Sequence, residues 1–354
     1  MKTSHNFFSN LAFNLAERHI GKTGTNPSVG CVVVKNNSVI STGITSINGR
    51  PHAEFNALNK NINFKNSEMY LTLEPCTHYG KTPPCIDLIK RKKIKQVYYC
   101  YNDPDQRTFK KAKKILKKKI KKIKISSKNL DFYKSYYLDK IKKKSLIDAK
   151  IAFSKDNFTI NRKSKWITNL RSRKVAHLIR SKYDCIISTS KTINKDNSLL
   201  NCRLDGLNNY KPDLIIIDRN LKLKKKLKLF NIIGRRKTYI VTTSKNAKKI
   251  SFFKNKKIKI IQLSSLKYKE DFEHLFQILF NIGKRRLLIE SGLIFLKKII
   301  NFKLLNHLYI FKSDKKLKND GHNNIKIAGL FKLSNSKEIR INLYNEKLYK
   351  MRIK

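Results

Sequence analysis

"RPHAEFNAL" occupies residues 50–58 and "LEPCTHYGKTPPCIDLI" residues 73–89. The chain has only 8 His and 6 Cys, yet here a His stands two residues before a Glu, and two Cys follow, each directly after a proline. His nitrogen and Cys sulfur are the ligands that tetrahedral zinc prefers, and a catalytic zinc keeps one position for water. His52, Cys76 and Cys85 supply three ligands and leave that position open. Glu54, at the first turn of an expected short helix, can face the same pocket as His52. It reads as the proton carrier, taking a proton from the activated water and returning it to the leaving amine. Each Cys follows a proline at an expected helix start, where a thiolate is favoured. A lone His-x-Glu arises easily by chance, and two Cys this far apart can be core thiols. The conjunction at element ends carries the zinc reading. A structural zinc with His78 as fourth ligand is the competing assignment.

Around this stretch the pattern alternates. Phe7, Phe8, Leu11, Ala12 and Leu15 recur at helical spacing. "SVGCVVV" (28–34), the turn-like Asn36-Asn37 and "SVI" (38–40) read as a hairpin. "MYLTL" (69–73) and "QVYYCY" (96–101) are strands. "CIDLIKRKK" (85–93) is a helix with Pro84 at its entry, "FKKAKKILKKK" (109–119) a basic amphipathic helix, and "IKKIKI" (120–125) a further strand. Strands alternating with helices predict a three-layer α/β/α domain. A second α/β series starts near residue 147, with strands "AKIAF", "DCIIST", "DLIIID", "TYIVTT", "IKIIQL", "RLLIE" and "HLYIF" and helices near 169–182, 269–282 and 293–301. The break falls between 143 and 150, giving domains 1–146 and 147–354. There is no internal repeat.

At 354 residues with 40% hydrophobic content, the chain suits two ordinary cores. Its net charge of +56 could serve nucleic acid. However, Lys outnumbers Arg, the better phosphate fork, and the lysines are scattered along the whole chain. Lys, Asn and Ile, all with A/T-rich codons, are abundant together. The charge therefore reads as composition, and no specific nucleic-acid partner is expected. The six cysteines form no disulfide-like framework. No stretch approaches the length of a membrane span, and the N-terminus lacks a continuous apolar signal core. A cytoplasmic protein, with no membrane partner and with reduced thiols, is expected.

His-x-Glu followed by Pro-Cys-x-x-Cys is the signature of zinc nucleobase deaminases. Here eight residues, not two, separate Cys76 from Cys85. With that long "TPPC" insertion, "NPSVGCVVVK" (26–35), "PHAEFNAL" (51–58) and "LEPCTHYGKTPPC" (73–85) together resemble the deaminase half of the bifunctional riboflavin-biosynthesis deaminase/reductase family. The resemblance implies a cytidine-deaminase-like fold and hydrolytic deamination of a diamino-pyrimidinone carrying a phosphoribosylamino group, one Zn2+ per chain, and Asn26 with the 26–31 loop lining the base pocket.

No G-x-G-x-x-G occurs in the second half, so the dinucleotide fingerprint is absent. Gly292 follows a strand and opens a helix, where backbone N–H groups can meet a phosphate. The resemblance continues in order through "KIAFSKDNFTI" (150–160), "SKWIT" (164–168), "HLIRSKYDCIISTSKTINKDNSLLNCR" (177–203), "IIIDRN" (215–220) and "LIESG" (288–292). It implies a dihydrofolate-reductase-like α/β domain that uses NADPH to reduce the ribosyl group to a ribityl chain. Carried over position by position, Phe153, Trp166, Thr192, Asp196 and the segment Gly292, Leu293, Ile294, Phe295, Leu296, Lys297 and Lys298 would contact NADP. Ser164, Arg180, Leu200, Arg203 and Glu290 would contact the phosphorylated substrate, with Lys150 a further candidate for polarising the sugar. Arg180 and Arg203 are forks suited to a phosphate ester. Several positions depart from the family: "AFSKDN" replaces a glycine-rich loop, Asp196-Asn197-Ser198 replaces Asp-Asp-Pro, Arg219 stands where Ser is common, and glycines are missing around "DPDQRTFKK" (103–111). The expectation is a bifunctional enzyme, homo-oligomeric, acting on a small molecule. A deaminase with a degraded reductase, a tRNA-type deaminase and a polyanion-binding protein with structural zinc are the alternatives.

Overall fold

Asn36 and Asn37 both take left-handed backbone, with φ of 49° and 60°. They fold β1 (Gly30–Lys35) back on β2 (Ser38–Ile44) through the two-residue turn that matches strand twist. The computed structural model describes residues 2–126, 129–207, 212–325 and 336–353. The chain divides into two compact units, Met1–Lys144 and Ser145–Lys354, and each has its own sheet.

In the first unit, α1 (Lys2–Glu17), α2 (Ala53–Leu58), β3 (Glu68–Leu73), α3 (Cys85–Arg91), β4 (Gln96–Tyr101), α4 (Lys111–Leu116), β5 (Ile120–Lys122) and α5 (Lys134–Tyr137) accompany the hairpin. The strand order is β2-β1-β3-β4-β5, antiparallel at the hairpin side and parallel from β3 to β5. Side chains of β1 alternate between faces as a strand must. Val32 and Val34 meet Phe8 and Ala12 of α1, while Cys31 and Val33 join Ala53, Ala57 and Ile86 of α2 and α3. Two glycines allow that close layering. A Cβ on Gly30 would lie 1.9 Å from the Ala12 carbonyl oxygen, and one on Gly43 2.1 Å from that of Ala53. The expected three layers are present. The basic helix is shorter than its pattern suggested, because Lys110 and Lys117 take φ of 56° and 51° and bound it at both ends.

The second unit comprises β6 (Leu146–Phe153), β7 (Phe158–Asn161), α6 (Leu170–Arg180), β8 (Cys185–Thr189), α7 (Ser190–Asp196), β9 (Asp213–Ile217), β10 (Thr238–Thr242), α8 (Ala247–Asn255), β11 (Lys259–Gln262), α9 (Lys269–Asn281), β12 (Arg286–Ile289), α10 (Leu293–Asn301), β13 (His307–Lys312), β14 (Gly321–Asn324), β15 (Ser336–Ile339) and β16 (Lys347–Arg352). Nine strands form one sheet in the order β11-β10-β9-β8-β12-β6-β13-β16-β15, and β14 pairs with β7 apart from it. Seven strands are parallel, β16 runs against them and β15 runs against β16. The central strands are buried on both faces, which accounts for continuous apolar runs such as "LIII" (214–217). The chain steps outward from β8 to β11, then returns to place β12 between β8 and β6. That reversal makes the carboxyl ends of β6, β8 and β12 the topological switch point, where open α/β sheets bind ligands. Among the described residues no helix is long and apolar enough to cross a membrane.

Candidate active sites

His52 ends the extended segment before α2 and precedes its first residue. Cys85 is the first residue of α3, whereas Cys76 lies in the loop after β3 and not at a helix start. The ligand atoms of His52, Cys76 and Cys85 all lie within 4.8 Å of one another. His52 Nδ1 is 3.7 Å from Cys76 Sγ and 3.4 Å from Cys85 Sγ. At ordinary zinc bond lengths, nitrogen and sulfur on a tetrahedral metal stand about 3.6 Å apart, so the donor set fits zinc. The Cys85 backbone N–H also donates to Cys76 Sγ at 3.2 Å. The Cys85 thiol and, against burial, the His52 ring hold the Cys76 thiol down at about 4, while the Cys85 thiol is pushed up. One sulfur is thus ready as a thiolate. Glu54 is buried beside them, and burial first, then the Cys76 charge, raise its carboxyl to about 7. Such a group can both accept and return a proton near neutrality.

His78 lies outside this cluster, and its Nδ1 is 3.0 Å from Thr108 Oγ1. It does not complete a four-ligand structural site. Asn26 turns its amide to the Gly49 carbonyl at 2.9 Å, which fixes the loop edge. Glu74, passed over in the "LEPC" run, is 2% exposed and accepts backbone N–H bonds from Asp103, Lys110 and Ala112. It ties the loop after β4 to the loop that carries Cys76. A Glu between Leu and Pro at a strand end gives no periodic signal of that role.

In the second unit, Glu290 follows β12 and is 6% exposed. Arg180 approaches it with both fork arms, Nε to Oε1 at 2.5 Å and Nη2 to Oε2 at 2.9 Å, and Lys150 Nζ lies 3.0 Å from Oε2. Burial opposes the charge, but Arg180 and then Lys150 hold the carboxyl well below the usual range. Arg203 Nη1 donates to Asn201 Oδ1 at 2.5 Å, and Arg180 Nη1 to the Asn201 carbonyl at 3.3 Å. Residues from positions 150, 180, 203 and 290 therefore converge. Leu200 is buried with φ of 46°. Ser164 is exposed, its hydroxyl accepting the Trp166 N–H.

Gly292 heads α10 without a side-chain cap, and its N–H donates to Thr192 Oγ1 at 3.1 Å. A Cβ on Gly292 would meet only that hydroxyl, at 3.6 Å, so the helix start is open to a phosphate and fits a dinucleotide. Within the segment, Ile294 is 77% exposed, Phe295 packs against the core, and Lys297 is exposed. Lys298 Nζ donates to the Leu266 carbonyl at 3.2 Å. Leu293, Leu296 and Phe153 are core side chains, leaving only their backbone for any ligand. Trp166 is exposed, with the Arg173 guanidinium 4.5 Å from its ring. Asp196 ends α7 within the field of Lys150 and Lys165. Ser198, at the departure from the usual proline, leaves its hydroxyl buried without a partner.

His177 was missed, although its place one helical turn before Arg180 puts both on one face. Its Nδ1 lies 3.0 Å from the Asn201 carbonyl and 3.2 Å from Arg180 Nη1. Burial, then Arg180 and Arg203, lower its pKa from 6.5 to about 4. Between those values the unfolded chain carries a proton on His177 that the folded chain does not, so stability falls as pH drops through that window. In thermal melting at pH 7 and pH 5 the His177 contribution should show as a difference between proteins, since the raised Glu54 carboxyl works the other way in both: His177→Gln should lose less on acidification than the parent. An equal loss in the variant would mean that His177 is not its source.

Both halves of the chain match known families. The "Cytidine and deoxycytidylate deaminase zinc-binding region" matches residues 2–101 and the "RibD C-terminal domain" residues 147–313. The riboflavin biosynthesis protein RibD of Aquifex aeolicus is 31% identical over 283 residues, 77% of each chain. That of Buchnera aphidicola subsp. Baizongia pistaciae is 32% identical over 335 residues, 88% of each. A crystal structure from Thermotoga maritima, described as a diaminohydroxyphosphoribosylaminopyrimidine deaminase/5-amino-6-(5-phosphoribosylamino)uracil reductase, superposes with a TM-score of 0.82 at 26% identity and covers 99% of both chains.

Proposed function

Because the chain belongs to the RibD family of bifunctional riboflavin-biosynthesis enzymes, we propose that residues 1–146 carry its deaminase and residues 147–354 its reductase. The family assignment makes it an enzyme with both activities, with a zinc-binding deaminase domain and a reductase domain that uses NADPH. By likeness to the Thermotoga protein, the substrate is the diamino-pyrimidinone bearing a phosphoribosylamino group, and the reductase takes the deaminated product.

His52, Cys76 and Cys85 would hold the zinc, whose Lewis acidity makes a water nucleophilic near neutral pH. Glu54 would accept a proton from the attacking water and deliver it to the departing amine. Its burial beside the sulfurs keeps bulk water from supplying the proton instead. In the reductase, NADPH supplies the hydride. The open start of α10 and Thr192 would orient the cofactor, Trp166, Asp196 and the backbone of Phe153 would flank it, and Arg203 and Arg180 would meet the phosphate ester. Glu290, with Lys150 fixed against it, holds the sugar hydroxyls. Ser164 and Leu200 complete the substrate wall. A cytoplasmic homo-oligomer acting on small molecules goes with this reading, supported by the small-molecule chemistry of both sites.

The observation that carries the reading is the convergence of three zinc-spaced ligand atoms on a buried Glu54. Cys85→Ser should lower zinc below one per chain and abolish ammonia release. The same variant should still oxidise NADPH when given already deaminated substrate. Retained zinc and ammonia release would remove Cys85 from the site.

A further inference from the structure

Arg236 belongs to neither set of residues above. It precedes β10 and is 8% exposed. Nη1 donates to the Leu200 carbonyl at 2.6 Å and the Pro212 carbonyl at 3.2 Å, and Nη2 donates to the Leu199 carbonyl. Its Nε is buried with no partner. Among the described residues no carboxylate pairs with it, since Asp213 is taken by Lys284 at 2.5 Å. Burial accordingly lowers its pKa to about 10. A buried cation held by carbonyls, with only the more distant charge of Asp213, which does not pair with it, to offset its burial, is unfavourable, so its place in the fold calls for a specific effect.

The three carbonyls indicate that effect. Leu199 and Leu200 come directly before Asn201, which accepts from Arg180 through its carbonyl and from Arg203 through its side chain. Leu200 has φ of 46°, a conformation that a branched side chain adopts only when its surroundings impose it. Arg236 grips the carbonyls on both sides of that strained residue. Arg203, which rests on the Asn201 side chain, is therefore set by a backbone that Arg236 holds from behind.

We propose that Arg236 is a positioning residue of the reductase: by clamping Leu199 and Leu200 it fixes Asn201, and through it aims Arg203 at the phosphate of the substrate. This rests on the reading that Arg203 contacts that phosphate.

Full-length, zinc-loaded Arg236→Lys, Arg236→Gln, Arg203→Ala and the double variant Arg203→Ala/Arg236→Gln would be compared with the parent protein. Arg236→Gln should raise the KM for the deaminated phosphoribosyl substrate about ten- to a hundredfold, the range for losing hydrogen bonds from a charged group. Arg236→Lys, which keeps the charge and part of the clamp, should fall between. NADPH affinity, followed by fluorescence titration, and ammonia release from the other unit should stay within about twofold. The double variant should be no worse than Arg203→Ala alone, because the two act as one unit. Equal weakening of NADPH and substrate would show a purely structural role, and an unchanged KM would show no role; either result overturns the proposal. If Arg203→Ala itself leaves KM unchanged, the phosphate assignment fails and the proposal fails with it.

Discussion

Glu54→Gln should keep one zinc per chain and lose at least about a hundredfold in ammonia release, the lower end for a positioned acid–base group. The amide is nearly isosteric and the proposed ligands are His52, Cys76 and Cys85, whose donor atoms are already gathered without it, so metal loading has no reason to change. What disappears is a group that can hold a proton between the attacking water and the departing amine. The parent carboxyl is suited to this because burial and the Cys76 charge raise its proton affinity. NADPH oxidation with already deaminated substrate should be unchanged. Near-normal ammonia release in the variant would remove Glu54 from the mechanism, while loss of zinc would show that it supports the ligands instead.

Glu290→Gln should have the second large effect. The carboxylate is the only acid joined to both Arg180 and Lys150 among the described ion pairs. Without it two largely buried cations face each other, and breaking a buried charged pair costs about 3–5 kcal/mol. Partial exposure of Lys150 and Arg180, 18% and 13%, puts the expected loss at or below the lower figure. The reductase should lose at least about a hundredfold in kcat/KM and the second unit should melt earlier, whereas zinc content and ammonia release should hold. A variant that melts earlier yet reduces normally would make Glu290 a structural counter-ion and no part of the site.

The two sites differed in how far they could be read from sequence. Zinc chemistry draws on rare residue types, and His52, Glu54, Cys76 and Cys85 fall within a short window, so the pattern was visible before any fold. The reductase site is gathered from the ends of β6, α6, β12 and the loop after α7, and only an ordered family resemblance linked them. Local pattern also misses elements that tertiary contacts hold. The helix α7 buries Ile193 and Ser190 alone and depends on its Thr189 cap, and edge strand β15 and its neighbour β16 are lysine-bearing strands without clean alternation. Phe153, Leu293 and Leu296 were expected at the cofactor, but the sheet and helix need their side chains inside. Residues that act from behind the site, such as Glu74 and His177, lie within the quoted motifs, but residue type alone does not tell their supporting role.

The charge has a structural side as well. Of 24 acidic residues, Glu54, Glu74, Asp103, Asp139, Asp148, Asp218, Glu290 and Glu346 are buried. The few carboxylates thus lie disproportionately inside, where several fix loops, and the surface is left more cationic than composition alone implies. Weak, steeply salt-dependent binding to polyanions follows from that surface without any role in catalysis.

The most direct test of the account is one assay with two readouts on zinc-loaded protein. Given the diamino-phosphoribosylamino-pyrimidinone and NADPH, the protein should release ammonia first and oxidise NADPH afterwards, in equal final amounts. NADPH oxidation without prior ammonia release, or ammonia release that is never followed by NADPH oxidation, would contradict a single chain that carries both steps in this order.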